Sequence, residues 1–280
     1  MKTKNILNAL SFFFAACMIT ACSDDDQDNY IPAKQGIQVR TDNEFGKVLT
    51  TPEGKTLYFF APDVNGSANC NGQCAITWPA YYSENAAAVA GIDPKDIGVI
   101  TGQGGKKQNT YKGWPLYQFS NDSQVNDIKG DAVNGTWFVA KPDYILMIAN
   151  AQLVGADGKN YKEDLAEGNG ITPYFTNGAG RTVYSFTQDT FNKNNFTKED
   201  FSNDAVWPIY QSEAGPTPSV IKKDLLGSIT VFGKKQLTYN GRPLYYYGQD
   251  TKRGDTKGVS VPRPGVWPYV NLETSRAAGQ

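Results

Sequence analysis

Histidine is absent from all 280 residues of this chain. That excludes Ser-His-Asp and Cys-His nucleophile chemistry, imidazole-ligated zinc or copper, and His-ligated haem. A histidine-free enzyme would have to work with paired carboxylates or Lys, and the expectation is a protein without catalytic activity or cofactor. Neither sign of charge dominates: the net charge is −1, so nothing marks a nucleic-acid binder. Methionine is scarce at 3 copies, whereas Gly at 28 and Tyr at 16, with many Thr and Val, favour strands and tight turns. No helical pattern is long enough to build a strand–helix–strand sheet, and strands at short spacing with Gly turns argue for an all-β fold.

The apolar run from Ala9 to Ala16, behind Lys2 and Lys4, is too short to span a bilayer. A basic start, a short apolar stretch and the small residues before Cys22 make residues 1–21 a secretory signal peptide. Ile19-Thr20-Ala21-Cys22 resembles the bacterial lipobox, which implies that Cys22 is the lipidated first residue of the mature protein. Phe14-Ala15-Ala16-Cys17 is a weaker match, and a plain secretory signal is the alternative. Ser23-Asp24-Asp25-Asp26-Gln27-Asp28 opens a flexible acidic tether over 22–35. This run also resembles the acidic surface-export signal of some Gram-negative lipoproteins. The expectation is therefore an exported protein, lipid-anchored to the outer membrane and exposed at the cell surface.

Four cysteines occur, and only Cys70 and Cys74 fall in the folded part. Export places them in a compartment that permits disulfides. Two readings of the i, i+4 pair stay open. One is a short disulfide stapling a loop beside Trp78, contributing about 1–2 kcal/mol by loop entropy. The other is a redox or soft-metal site, which would need a low-pKa thiol and further ligands.

The chain repeats itself. Gly105 to Asp122 reads GKKQNTYKGWPLYQFSND and Gly233 to Asp250 reads GKKQLTYNGRPLYYYGQD, 128 residues apart. Gly54 to Phe60 matches Gly180 to Phe186 at an offset of 126, Trp78-Pro79 matches Trp207-Pro208 at 129, and Trp137 matches Trp267 at 130. Within each copy the phrase Tyr-x-aromatic-x-x-Asp occurs twice, as Tyr58/Phe60/Asp63, Tyr117/Phe119/Asp122, Tyr184/Phe186/Asp189 and Tyr245/Tyr247/Asp250. These phrases predict two homologous tandem β domains, sandwich or barrel-like with several hairpins each, over 36–143 and 144–273. At most short helices are expected, one of them over Glu84 to Ala90, and 274–280 is expected to be a disordered tail. Tyr144 to Ile148 reads as the first strand of the second module. Counting back from Trp207 puts Glu199 and Asn203 where Cys70 and Cys74 stand, and Arg242 replaces Trp114.

Gly-x-Thr-Leu-Tyr-x-Phe-x-x-Asp, Cys-x-x-x-Cys-x-x-x-Trp-Pro and the longer repeated phrase together resemble a bacterial lipoprotein family of secreted repeats. The resemblance covers most of residues 46 to 270. It implies export, lipidation and tandem modules, and it supplies no catalytic residues because the family has no settled activity.

Alternation puts the motif's Tyr and second aromatic on one face of a strand, with the Asp past its end. They could form an aromatic platform with a carboxylate for a sugar or Ca²⁺. The alternative is that the aromatics are core and each Asp caps the next turn through backbone N–H groups. Four copies favour the structural role, since a site needs one. Candidate ligand-binding residues are Tyr81, Tyr82, Trp114, Arg242 and Tyr246, drawn from the aromatic clusters and the departure at 242. Three functions remain open: a module binding a glycan, small ligand or envelope protein; a redox or metal-handling lipoprotein using Cys70 and Cys74; and an envelope structural protein without ligand.

Overall fold

A computed structural model describes residues 35–86 and 91–279. The expected signal peptide, Cys22, the tether up to residue 34 and the last four residues of the expected helix at 84–90 lie outside the described residues. From residue 35 onward the described residues form one compact unit.

The fold is all-β, in several open antiparallel sheets. In the first half, β1 (Gln38–Asp42) and β2 (Gly46–Thr50) form a hairpin. β3 (Tyr58–Phe60) runs beside β7 (Trp137–Val139). Between them in sequence, β4 (Ile97–Thr101), β5 (Lys107–Tyr111) and β6 (Trp114–Pro115) make a three-stranded meander. In the second half, β8 (Met147–Val154) is flanked by β9 (Asn160–Tyr161) and β10 (Ile171–Thr176). A four-stranded sheet orders β11 (Tyr184–Ser185), β14 (Arg242–Tyr245), β13 (Lys234–Tyr239) and β12 (Leu226–Val231). Among the described residues the one α-helix, α1 (Gln73–Thr77), is a single short turn around Cys74.

The duplication is visible in the pairing. The β4–β5 hairpin aligns Ile97 with Tyr111, and its counterpart β12–β13 aligns Leu226 with Tyr239. Lys112-Gly113 and Asn240-Gly241 close the following turns with positive φ at both positions, 48° and 78° against 51° and 74°. That is the two-residue turn whose twist matches the strands it joins. Within each module the two halves meet at matching bridges, Tyr58 to Tyr117 and Tyr184 to Tyr245.

The two halves share one apolar core, running from Ile37 through Tyr144 and Leu146 to Val270. Trp114 sits fully buried where they meet, its Nε1 donating to the Gly178 carbonyl at 3.0 Å. Arg253 covers the Trp114 ring at 5.0 Å and donates to the carbonyls of Lys112 and Ala179, each at 2.5 Å. A Cβ on Gly113, whose φ is already 78°, would lie 2.8 Å from Arg253 Nη1 and force the guanidinium to shift.

Two expectations need correcting. The strand expected over Tyr144 to Ile148 starts at Met147. Residues 144–146 are drawn elsewhere, the Tyr144 hydroxyl donating to the Val139 carbonyl at 2.8 Å and the Ile145 N–H to the Pro216 carbonyl at 2.9 Å. Residues 274–279, expected to be disordered, pack onto the second module. Ala277 is buried and donates its N–H to the Asn240 carbonyl at 3.1 Å, and Arg242 Nε donates to the Ser275 carbonyl at 2.6 Å. The sequence position that departs from Trp114 is thus the clamp for this segment.

Candidate functional site

The repeated motif builds a closed structure in the core. Tyr58 donates its hydroxyl to Asp122 Oδ2 at 2.6 Å, and Tyr117 donates to Asp63 Oδ2 at 2.6 Å. The second module repeats the exchange, Tyr184 to Asp250 at 2.6 Å and Tyr245 to Asp189 at 2.7 Å. Each half-module's Tyr therefore bonds the other half's Asp. The other carboxylate oxygen accepts a backbone N–H in every case, from Asn69, Lys129, Asn195 or Lys257.

Burial pushes the carboxyls of Asp63 and Asp189 up to about 6 and that of Asp250 up to about 7, against the pull of the hydroxyl and N–H donors. It raises Asp122 as well. Burial first, and the facing Asp second, hold the Tyr58 phenol far above its ordinary value. With both oxygens of each carboxyl bonded inside the protein, these residues tie the halves together and offer no free acceptor to a ligand.

The aromatics of the motif flank paired indoles. Trp78 and Trp137 stack at 3.8 Å with 2° between their planes, with Phe60 on the outer side of Trp137 at 4.1 Å and Phe119 on that of Trp78 at 4.2 Å. Trp207 and Trp267 stack at 3.9 Å, flanked by Tyr247 at 4.7 Å and Phe186 at 4.4 Å. Tyr58 and Phe60 thus face the same indole pair, while Phe59 points away to Trp114 at 5.9 Å.

Cys70 and Cys74 are joined in a disulfide. Cys70 is buried in the cluster that holds Tyr117 and Trp137, and Cys74 packs against it. The counterpart of Cys70 is not Glu199. Asn69 and Asn195 give the equivalent N–H bonds to Asp63 and Asp189, so the next residues, Cys70 and Phe196, correspond. The signal was the offset of 126, which already related Gly54 to Gly180. Phe196 meets Trp267 edge-on at 4.7 Å and so fills the disulfide's place with a ring. Asn203 holds its loop by donating Nδ2 to the Phe196 carbonyl at 2.8 Å.

The five candidate ligand-binding residues are not brought together. Tyr81 is buried, Tyr82 is exposed with Lys107 Nζ over its ring at 5.7 Å, and Arg242 clamps the C-terminal segment. Tyr246 is the one of the five that lines a cleft of about 450 Å³ between the modules, and fully buried Trp114 reaches that region only through its bond to Gly178. Tyr246 lines it with Tyr144, Tyr210, Asp96, Lys112 and Asn177, and its Gly178 is the one whose carbonyl receives the Trp114 indole. Tyr246 lies 4.6 Å from Tyr210, under the Arg181 guanidinium at 4.4 Å, and accepts a bond from Asn177 Nδ2 at 3.2 Å. Tyr210 had a legible signal, since it repeats Tyr81 at the Trp-Pro offset of 129. Asp96, Lys112, Tyr144 and Asn177 had none.

Fold and cleft define a duplicated, open-sheet β protein with a cleft between its modules. Residues 39–81, 98–141 and 229–271 match the Lipoprotein_15 family, a secreted repeat of unknown function. The three matches agree with the resemblance of the repeated phrases, and a secreted repeat implies export. The phrase Tyr184 to Asp189 falls outside the matched segments, yet its hydroxyl and carboxyl make the same bonds as the others. No curated protein and no solved structure matches the chain.

Proposed function

We propose that the chain is a non-catalytic envelope lipoprotein, anchored through Cys22 and exposed at the cell surface, that binds a glycan in the cleft between its modules. The observation that carries this reading is the cleft's lining: the rings of Tyr144, Tyr210 and Tyr246 beside Asp96, Lys112 and Asn177. Apolar ring surface with a few donors and acceptors of both kinds suits a polyhydroxylated ligand.

Titration calorimetry of the full-length chain against a panel of neutral and acidic oligosaccharides tests the reading. Binding by at least one of them, abolished in Tyr246→Ala and weakened in Asn177→Ala, is expected. Binding by none, or binding indifferent to both changes, overturns it. The anchor is tested separately: Cys22→Ser is expected to move the protein from the membrane fraction to the soluble one, because loss of the acyl chains removes the attachment. Retention in the membrane fraction rules the anchor out.

A further inference from the structure

A second cavity, of about 520 Å³, opens where the β1–β2 turn meets the segment before β12. It is lined by Phe45, Lys141, Pro216, Thr217, Lys223 and Leu226, among others. Lys141 is the unusual member. Only 7% of it is exposed, which few lysines tolerate without a partner. Its Nζ lies 5.8 Å from the Phe45 ring and 5.4 Å from the Tyr144 ring. Among the described residues it has no hydrogen-bond or ion-pair partner, and the charges around it act only at a distance.

Two of the surrounding carboxylates are committed elsewhere, and Asp143, whose Oδ1 is buried without a hydrogen-bond partner, makes no ion pair with Lys141. Asp42 pairs with Arg40 at 2.9 Å and accepts the N–H groups of Glu44 and Phe45. Asp131 accepts the Val139 N–H at 2.8 Å and the Ser219 hydroxyl. Asp143 and Asp131 favour the charged amine, but burial outweighs them and holds it below the ordinary lysine value, with Lys223 adding to the effect. An anion entering the cavity would give this largely buried ammonium a charge-assisted hydrogen bond that the protein itself does not supply.

The duplication gives a second, independent argument. Lys141 lies four residues beyond Trp137, so its counterpart four beyond Trp267 is Asn271. The buried Tyr–Asp pairs recur in both modules, and this cation does not.

We propose that the cavity binds a small organic carboxylate with an apolar body, the anionic group held by Lys141 and Lys223 and the body set against Phe45, Pro216 and Leu226. The apolar walls favour such a ligand over an inorganic anion, and Glu44 at the lining disfavours a second negative charge. The two sites share no lining residue, although the Tyr144 ring of the glycan cleft lies 5.4 Å from Lys141 Nζ, and neither reading depends on the other.

The test is calorimetric titration of the full-length chain with benzoate, and with inorganic phosphate for comparison. Benzoate is expected to bind one-to-one and more tightly than phosphate. Lys141→Met should weaken benzoate by at least about thirtyfold, the lower end for removing one partner of a buried hydrogen-bonded charge pair. Lys141→Arg should retain part of the affinity. Tyr246→Ala, which disables the glycan cleft, should leave benzoate unaffected. Circular dichroism establishes that each variant is folded, and Lys141→Gln replaces any that is not. Absence of benzoate binding, equal binding by Lys141→Met, or tighter binding of phosphate than of benzoate overturns the proposal.

Discussion

Tyr58 donates to Asp122 across 64 residues of sequence, and Tyr117 donates to Asp63 across 54, so the two halves of a module each complete the other's buried carboxyl. A half-module on its own would bury an acid and a phenol without partners. The pairing therefore explains why the phrase occurs in twos within each module. Removing one donor should be costly. Tyr58→Phe keeps the ring against Trp78 and deletes only the hydroxyl, leaving Asp122 Oδ2 short of its donor. A loss of about 1.5–3 kcal/mol is expected, the range for a hydrogen bond to a charged group. Tyr184→Phe should lose a similar amount, since it holds Asp250 in the same way. Urea unfolding measures both, and a change under about 0.5 kcal/mol in either variant, the usual scatter of a neutral surface substitution, would remove the structural role assigned to the pair.

The same carboxyls set the pH response. Asp63 and Asp189 titrate near 6 and Asp250 near 7 in the folded chain, above the unfolded value near 4. The native state then binds more protons than the unfolded state between about pH 4 and 7, so stability falls with rising pH. Their contribution is complete below about pH 4 and is lost as the pH passes about 7. Asp42 acts in the opposite sense, because the Phe45 and Glu44 N–H groups and Arg40 hold its carboxyl low, and it costs stability below about pH 4. Unfolding free energies at intervals from pH 4.5 to 8 should decline. A rise over that interval would show that the donors around these carboxyls outweigh their burial.

Much of the fold was readable because local chemistry repeated itself. The Gly turns around Lys107 to Tyr111 gave the β4–β5 hairpin, and strand alternation put Tyr58 and Phe60 on one face. What the sequence could not carry was partnership at a distance. Nothing in the spacing of Tyr58 and Asp63 says that each bonds the other half instead of its neighbour. The cleft is less legible still, because Asp96, Tyr144, Asn177 and Tyr246 come from four separate segments. Aromatic clusters in sequence proved a poor guide to it: Tyr81 and Tyr82 are adjacent in the chain, yet one is buried and the other exposed.

The disulfide is expected to be a dispensable staple. Its place in the second module is taken by Phe196, which packs on Trp267 without any covalent bond. The Cys70→Ser/Cys74→Ser double variant should fold and lose about 1–2 kcal/mol, the loop-entropy value for so short a ring. Cys70→Phe with Cys74→Asn, which copies the second module, should recover part of that loss. Free-thiol titration of unreduced wild-type protein should find no reactive thiol among these two. Two titratable thiols, or a double variant that fails to fold, would refute the staple.

Trp114 and Arg242 occupy matching places in the two modules and serve different neighbours, which gives a sharp contrast. Trp114 is fully buried between the modules, donates to the Gly178 carbonyl and lies under Arg253. Arg242 is half-buried and holds the C-terminal segment through the carbonyls of Ser275 and Arg276. Trp114→Ala should therefore cost about 3–5 kcal/mol, the range for emptying a large buried side chain. Because it strips the junction that lets the modules share a core, it should also split a single unfolding transition into two. Arg242→Ala should cost about 1 kcal/mol, as three exposed hydrogen bonds are lost to water. Its signature is local: residues 272–279 should become sensitive to limited proteolysis while the transition stays single. Equal costs for the two variants, or a protected C-terminal segment in Arg242→Ala, would mean that the departure at this position has no structural consequence.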